Sequence, residues 1–168
     1  MEDIILNQSK IKEIEDTFIH KKYVLDAALK MSRYLFEQGE DDLGMHLLKR
    51  ATKHDNSKLE MEELEALSKI AEDCDSLKEA SEKMSDFKKK AIELHWKNNR
   101  HHPEFFSDVS NMDEIDILEM VCDWYARSMQ YNTNLLEFCE TRQENRFHFP
   151  EEMYQRIHKY CEIIARKD

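Results

Sequence analysis

Residues 115–129 read IDILEMVCDWYARSM, and they indicate a helix that is buried on nearly every side. Apolar residues recur three and four apart around most of this helix, which is the pattern of a helix at the centre of a bundle. The remaining strip is polar and consists of Asp116, Glu119, Asp123 and Arg127. This strip faces either a narrow contact with solvent or a polar cavity. A buried carboxylate needs a partner, and a metal ion is one way to supply it.

The scarcity of glycine and proline extends the helical prediction to the whole chain. Among 168 residues there are only two glycines, Gly39 and Gly44, and two prolines, Pro103 and Pro150. Average proteins contain about 7% glycine and about 5% proline. So few glycines permit few turns with positive φ and few hairpins, and they leave no glycine-rich loop for a nucleotide phosphate. The composition therefore disfavours β-sandwiches, β-barrels and doubly wound α/β sheets, and it predicts an all-α protein.

The apolar periodicity predicts a single domain over residues 1–168, built as a helical bundle of about six to seven helices. Its core would span about residues 9–131, with C-terminal helices over residues 132–166 packing on it. The acidic run 60–65 and the basic run 88–90 are interpreted as solvated helix faces.

Several residues mark where the helices begin and end. The first helix is predicted over residues 9–38, with Gly39 in the position that glycine prefers after a helix C-terminus. Ser57 is predicted to cap the third helix, and residues 75–76 to open the fourth. Asn111 is predicted to begin the fifth helix through a pattern that resembles a capping box.

Charge and cysteine usage limit the classes of function. The chain carries 36 acidic and 25 basic residues, which argues against nonspecific nucleic-acid binding because that requires clustered cations. No apolar run approaches the ~18 residues of a membrane span, and the first residues lack the basic region of a signal peptide. The cysteines, which show no paired spacing, are Cys74, Cys122, Cys139 and Cys161. We therefore expect reduced thiols in a cytoplasmic protein.

Three histidines occupy helix positions where apolar residues are expected. His20 shares a stripe with Val24, His95 follows Ala91 by four residues, and His54 closes the second helix. Each of these histidines alone is more often a hydrogen-bonded core residue. Three of them together with nearby acids suggest a metal site, since mixed imidazole and carboxylate ligands suit Zn, Fe, Mn, Co or Ni.

The order of these residues along the chain is informative. The loop at 54–58 reads HDNSK, so that an aspartate directly follows His54 at a helix end. A helical histidine, His20, precedes this doublet, and the segments HHPE at 101–104 and EMVCDW at 119–124 follow it. This order resembles the HD-domain superfamily of metal-dependent phosphohydrolases, and it looks most like a bacterial and phage branch of HD-like proteins.

The resemblance covers roughly residues 16–127, and it implies an HD-domain-like core of about five helices. It also implies a first set of metal ligands, which are His20, His54, Asp55 and Asp123. Dinuclear members add histidines between the doublet and the last aspartate. Here those histidines would be His95 with His101 or His102. The cofactor would be one or two divalent transition-metal ions.

The activity implied by the resemblance is hydrolysis of a phosphate ester on a nucleotide or another small phosphorylated molecule. Lys58, which the doublet loop keeps, and Arg100 would act in catalysis and contact the substrate. Arg127 would also bind the phosphoryl group. Glu119, one turn before Asp123, would orient a ligand or transfer a proton.

Two other functions are open at this point. The same scaffold carries diiron oxygenases, which keep the lysine of the doublet loop. The chain would otherwise be a non-catalytic helical module that binds a metal or a nucleotide. Four aromatic residues either serve a partner or a homodimer interface or simply pack onto the bundle, and they are Phe105, Phe106, Phe147 and Phe149.

Overall fold

The computed structural model describes residues 7–73 and 86–166, with the side chains of 71–73 and 86–87 left out. The prediction of an all-α bundle of about six to seven helices is confirmed, because the described residues form seven α-helices and no strand. The helices are α1 (Gln8–Glu37), α2 (Asp41–Lys53), α3 (Met61–Asp73), α4 (Asp86–Asn98), α5 (Glu114–Tyr131), α6 (Leu135–Arg142) and α7 (Glu151–Ala165). None of them combines the length and the apolar character that a membrane crossing requires.

The chain divides into two compact units. Among the described residues, the first unit consists of 7–19, 55–73 and 86–99, and the second consists of 20–54 and 100–166. In the first unit α3 packs against α4, and both contact the short 3-10 turn at 56–59. In the second unit α5 packs against α2, α6 and α7. The prediction of one domain with a core over residues 9–131 stays a prediction.

Helix α5 is the buried helix of the second unit, as residues 115–129 predict. The side chains of Ile117, Leu118, Val121 and Cys122 have no solvent exposure. The three carboxylates of the polar strip, Asp116, Glu119 and Asp123, are buried with them, whereas Arg127 is half-buried. The carboxylates therefore face a polar interior rather than solvent.

Two predicted helix starts are wrong, and the reason is the same in both places. The N-cap of α5 is Asp113, whose Oδ1 accepts from the Asp116 N–H at 2.9 Å, and not Asn111. Asn111 instead ends a 3-10 turn over 109–111. Ser57 does not cap α3, because it lies inside the 3-10 turn that precedes Met61. The fourth helix start predicted at 75–76 lies outside the described residues.

Gly39 ends α1 as predicted, in a left-handed conformation with φ of +80°. The Gly39 N–H donates to the Phe36 carbonyl at 3.0 Å and the Glu40 N–H donates to the Leu35 carbonyl at 2.9 Å, which together form a Schellman cap. A Cβ at Gly39 meets no atom within 4 Å, so a substitution is opposed by the backbone conformation alone.

We expect Gly39→Ala to lower the free energy of unfolding by about 1–2 kcal/mol, which is the cost of a left-handed residue with a Cβ. Gly39→Asn should lose less, because asparagine tolerates this conformation better. Urea unfolding monitored by circular dichroism measures both changes. An alanine variant as stable as the wild type would contradict the cap described here.

Candidate metal centre

The second unit brings together three of the predicted ligands. His20 comes from α1, His54 directly follows the last residue of α2, and Asp123 comes from α5. All three side chains are buried. Each lies beside buried apolar residues. His20 is four residues before Val24, His54 is three residues after Ala51, and Asp123 directly follows Cys122.

The ligand atoms of these three residues lie at distances that suit one metal ion. His20 Nε2 is 2.9 Å from Asp123 Oδ1 and 3.3 Å from His54 Nε2. His54 Nε2 is 4.0 Å from Asp123 Oδ1. These three edges define a point in the plane of the three atoms that is about 2.0 Å from each, and transition-metal bonds to nitrogen and oxygen are about 2.0–2.2 Å long.

In both histidines, the hydrogen-bond partner of Nδ1 determines whether Nε2 carries a hydrogen or a lone pair. His20 Nδ1 lies 2.8 Å from Gln130 Oε1, and His54 Nδ1 lies 3.0 Å from Glu119 Oε1. Because both oxygens accept, they favour the tautomer that carries the hydrogen on Nδ1 of each ring and turns the lone pair of Nε2 inward. Two nitrogen lone pairs and a carboxylate oxygen then converge, and this arrangement is favourable only with a cation or a proton among them. The residues therefore fit a divalent ion.

The pKa shifts at this centre oppose the proton and favour the cation. Burial lowers the pKa of His20, although Asp123 acts in the opposite direction. Burial raises the pKa of Asp123, but His20, Arg127 and His101 outweigh it and hold this pKa well below its usual value. A neutral imidazole beside an ionised carboxylate is the state that metal binding requires.

Glu119 lies at a second convergence of side chains, and this one is of a different kind. Glu119 Oε1 is 3.0 Å from His54 Nδ1 and 3.6 Å from His101 Nδ1. Its other oxygen accepts from Arg50 Nε at 2.7 Å. Because a guanidinium already neutralises this carboxylate, the convergence is a hydrogen-bonded network rather than a place for another divalent ion.

The two adjacent histidines of the HHPE segment extend the row of imidazoles in the second unit. The His101 ring centroid is 4.3 Å from that of His54 and 4.1 Å from that of His102. His101 is buried, and its Nε2 is 3.9 Å from Asp123 Oδ2. His102 is only half-buried. Of the two, His101 is thus the one that lies beside Asp123, and a ligand role for either residue stays a prediction.

The predicted substrate-binding arginines have different surroundings. Arg127 Nε lies 3.8 Å from Asp123 Oδ1, and its side chain is 37% exposed. Arg100 Nη2 donates to Asp116 Oδ2 at 2.7 Å, and its guanidinium lies over the rings of Phe105 and Phe106. Arg127 is therefore the arginine next to the candidate ligands. Contact between Arg100 and a phosphoryl group stays a prediction.

The other two aromatic residues of the predicted set pack inside the second unit. Phe147 stacks on Trp124 with centroids 6.3 Å apart, and Phe149 lies 5.3 Å from Phe147. Phe149 is buried. These contacts favour the interpretation in which Phe147 and Phe149 pack onto the bundle.

The first unit holds the remaining predicted residues of the doublet loop and α4. Lys58 Nζ is 2.8 Å from Asp55 Oδ2, and His95 Nε2 is 3.7 Å from Asp55 Oδ1. His95 Nδ1 donates to Glu63 Oε1 at 2.6 Å. All four side chains are buried, and Asp55 has a left-handed backbone with φ of +53°. Lys58 is therefore a buried partner of Asp55, and the roles predicted for Asp55, Lys58 and His95 stay predictions.

Sequence reasoning missed three residues that hold the candidate ligands. The prediction that the acidic run 60–65 is a solvated helix face is wrong at Glu63, which is 1% exposed. It precedes Leu67 by four residues, and this spacing places it on an apolar side of α3. Arg50 precedes His54 by four residues and so shares its side of α2. Gln130, which accepts from His20, has no comparable signal in the sequence.

We expect Glu63→Gln to destabilise the protein by about 1–2 kcal/mol at neutral pH, since hydrogen bonds to a charged group are lost. Burial raises the pKa of Glu63, but hydrogen bonds from His95, Asn98 and Ser57 lower it by more, so that the net shift is downward. A carboxylate with a depressed pKa adds stability above its unfolded pKa and loses it as the pH falls through the folded pKa.

The difference in unfolding free energy between wild type and Glu63→Gln should therefore be constant near neutrality and shrink below about pH 4.5. Urea titrations at several pH values measure it. Glu62→Gln, at an exposed neighbouring position, is the matched control and should show no such difference. Equal pH dependence of the Glu63 variant and the wild type would contradict this account.

Comparison with known proteins identifies a family for this chain. No curated protein and no solved structure matches the chain. A family model described as a family of unknown function, DUF5662, matches residues 9–164. Because this match covers nearly the whole chain, the protein belongs to the DUF5662 family.

Proposed function

We propose that this protein is a metal-dependent phosphohydrolase that acts on a nucleotide or another small phosphorylated molecule. The observation that carries the proposal is the convergence of His20 Nε2, His54 Nε2 and Asp123 Oδ1 within the second unit. These residues would hold a divalent ion of Zn, Fe, Mn, Co or Ni, for which imidazole and carboxylate ligands are suited. The resemblance to HD-domain phosphohydrolases supports the choice of reaction.

When bound, such an ion polarises a phosphoryl oxygen and lowers the pKa of water toward neutrality, which supplies the nucleophile. The side chains around it have separate tasks. Arg127, partly exposed beside Asp123, would neutralise the charge of the phosphoryl oxygens. His101, next to the second oxygen of Asp123, would hydrogen-bond the substrate or the attacking water. A local cation is needed because the net charge of −11 repels an anionic substrate.

We also propose a cytoplasmic location and no nonspecific contact with nucleic acid. The cysteines that the structure describes, Cys122, Cys139 and Cys161, are all free thiols and buried. Reduced thiols are typical of intracellular proteins. The excess of acidic residues supports a small-molecule substrate over a polyanion.

The experiment is a hydrolysis assay over a panel of nucleotides, cyclic dinucleotides and simple phosphate esters, with each of the five metals. We expect turnover of at least one class, and we expect Asp123→Ala to lose it. Asp26→Ala, on an exposed position of α1, is the control and should keep full activity. Absence of turnover with every metal and every substrate class would overturn the proposal.

A second function is favoured by the composition of the ligand set. Two histidines and one carboxylate with open positions are also the donors of non-haem Fe(II) oxygenases. That donor set holds a single iron, and the resemblance to HD-domain proteins adds a second, so an HD-type diiron oxygenase is the alternative; anaerobic iron loading followed by measurement of oxygen consumption tests it. Activity with Mn or Co in the absence of oxygen would exclude the oxygenase. A non-catalytic metal- or nucleotide-binding module is what remains if neither activity is found.

A further inference from the structure

Arg50 connects two acidic residues of α5 to one another. Its side chain is 24% exposed and lies one helical turn before His54 on α2. Arg50 Nε donates to Glu119 Oε2 at 2.7 Å, and Nη2 donates to Asp116 Oδ1 at 3.2 Å. Because the guanidinium is planar and contacts two carboxylates on the same helix, its orientation is fixed.

The other end of this network is equally constrained. Asp116 also accepts from Arg100 Nη2 at 2.7 Å and closes the capping box of α5. Glu119 therefore has one oxygen held by Arg50, which leaves Oε1 facing His54 Nδ1 at 3.0 Å. Free rotation of the Glu119 carboxylate would break the contacts with Arg50.

We infer that Arg50 is a positioning residue for the metal centre, and that it acts through Glu119 to keep the hydrogen of His54 on Nδ1. The lone pair of His54 Nε2 then points toward His20 and Asp123. The inference rests on the proposed function insofar as it assumes that an ion binds at these atoms. The one sequence signal for this role is the spacing of four residues between Arg50 and His54, and Lys49 and Lys53 give the same helix other basic residues.

The test compares Arg50→Met and Arg50→Lys with the wild type in two measurements. The first is the imidazole nitrogen chemical shift of His54 in ion-free protein, which distinguishes the two neutral tautomers. The second is Zn(II) affinity, measured by competition with a chelator. We expect Arg50→Met to mix the tautomers and to weaken Zn(II) binding by about 10–100-fold, the usual effect of losing a partner behind a ligand.

Arg50→Lys should recover part of the affinity, since an ammonium can contact Glu119 but cannot bridge to Asp116 as a planar fork does. Arg33→Met, at an exposed position of α1, is the control and should change neither measurement. A purely structural role would lower the unfolding temperature without altering the His54 tautomer.

Two results would overturn the inference. One is a folded Arg50→Met variant that keeps both the wild-type tautomer and the wild-type Zn(II) affinity. If Arg50→Met does not fold, Arg50→Gln, which also lacks the charge, decides instead, and a wild-type affinity and tautomer in that variant overturn the inference. Failure of the wild type to bind Zn(II) would instead overturn the proposed function, while the tautomer measurement would still decide the role of Arg50.

Discussion

Asp123→Ala is expected to abolish stoichiometric metal binding. Asp123 supplies the only carboxylate oxygen among the three converging atoms, at 2.9 Å from His20 Nε2 and 4.0 Å from His54 Nε2. Its removal leaves two neutral imidazoles and no negative charge to offset that of a divalent ion. The loss of metal affinity should exceed about 10–100-fold, which is the effect of removing a residue that hydrogen-bonds to a ligand.

Elemental analysis of purified protein, followed by titration with Zn(II), measures this effect. Asp26→Ala is the matched control, because it removes an exposed carboxylate from α1. Asp55→Ala forms a separate arm that tests the ligand role predicted for the second residue of the doublet. If Asp123→Ala binds as much metal as the wild type, the assignment of this centre is wrong.

Stability gives an independent measure of the same binding. An ion that binds only the folded state adds about 2.7 kcal/mol at a free concentration one hundred times its Kd. Zn(II) should therefore raise the unfolding temperature of the wild type and of Asp26→Ala. The same addition should leave Asp123→Ala unchanged. A chelator should reverse the shift in the two proteins that show it.

Asp116→Ala is expected to have the largest effect on stability, a loss of about 2–4 kcal/mol in the free energy of unfolding. Asp116 has no solvent exposure, and it accepts from Arg50 and Arg100 while it also caps α5. Its removal leaves two cations without their shared partner. Arg100 is 45% exposed and can be hydrated, so the loss stays below that for a pair with both partners buried.

Asp113→Ala separates the contribution of the cap from that of the ion pairs of Asp116, because the contact of Asp113 itself with Arg100, at 3.7 Å, joins two exposed side chains and contributes little. Asp113 is the exposed half of the same capping box, and the loss of an N-cap costs about 1 kcal/mol. Asp116→Asn keeps an acceptor without the charge, and it should fall between the two alanine variants. Urea unfolding of all three proteins measures these differences. Equal losses for Asp113→Ala and Asp116→Ala would show that the arginine contacts add nothing.

The fold could be predicted from the sequence because its signals are local. Two glycines in 168 residues exclude most β architectures, and the apolar spacing of residues 115–129 identifies the buried helix. The helix starts predicted at Ser57 and Asn111 are wrong because each residue lies in a 3-10 turn, and the sequence pattern of such a turn is close to that of a helix cap.

The candidate site could be predicted only in part. His20, His54 and Asp123 were identifiable because each is a polar residue at a position where its helix is otherwise buried. Their convergence depends on how α1, α2 and α5 pack, and no spacing along the chain contains that information. Arg50 and Gln130 act through their contacts with Glu119 and His20. The spacing of Arg50 from His54 places it on the right side of α2 but does not reveal its partner, and Gln130 has no such signal.

The three candidate ligands come from distant parts of the chain, and this has a consequence for unfolding. His20 and His54 are 34 residues apart, and Asp123 follows much later on a third helix. An ion bound to all three would tie together parts of the folded chain that are far apart in sequence, and because unfolding would release it, the free energy of unfolding would depend on the free metal concentration. The described cysteines are free thiols, so this protein would thereby gain a reversible crosslink that responds to metal supply instead of redox state.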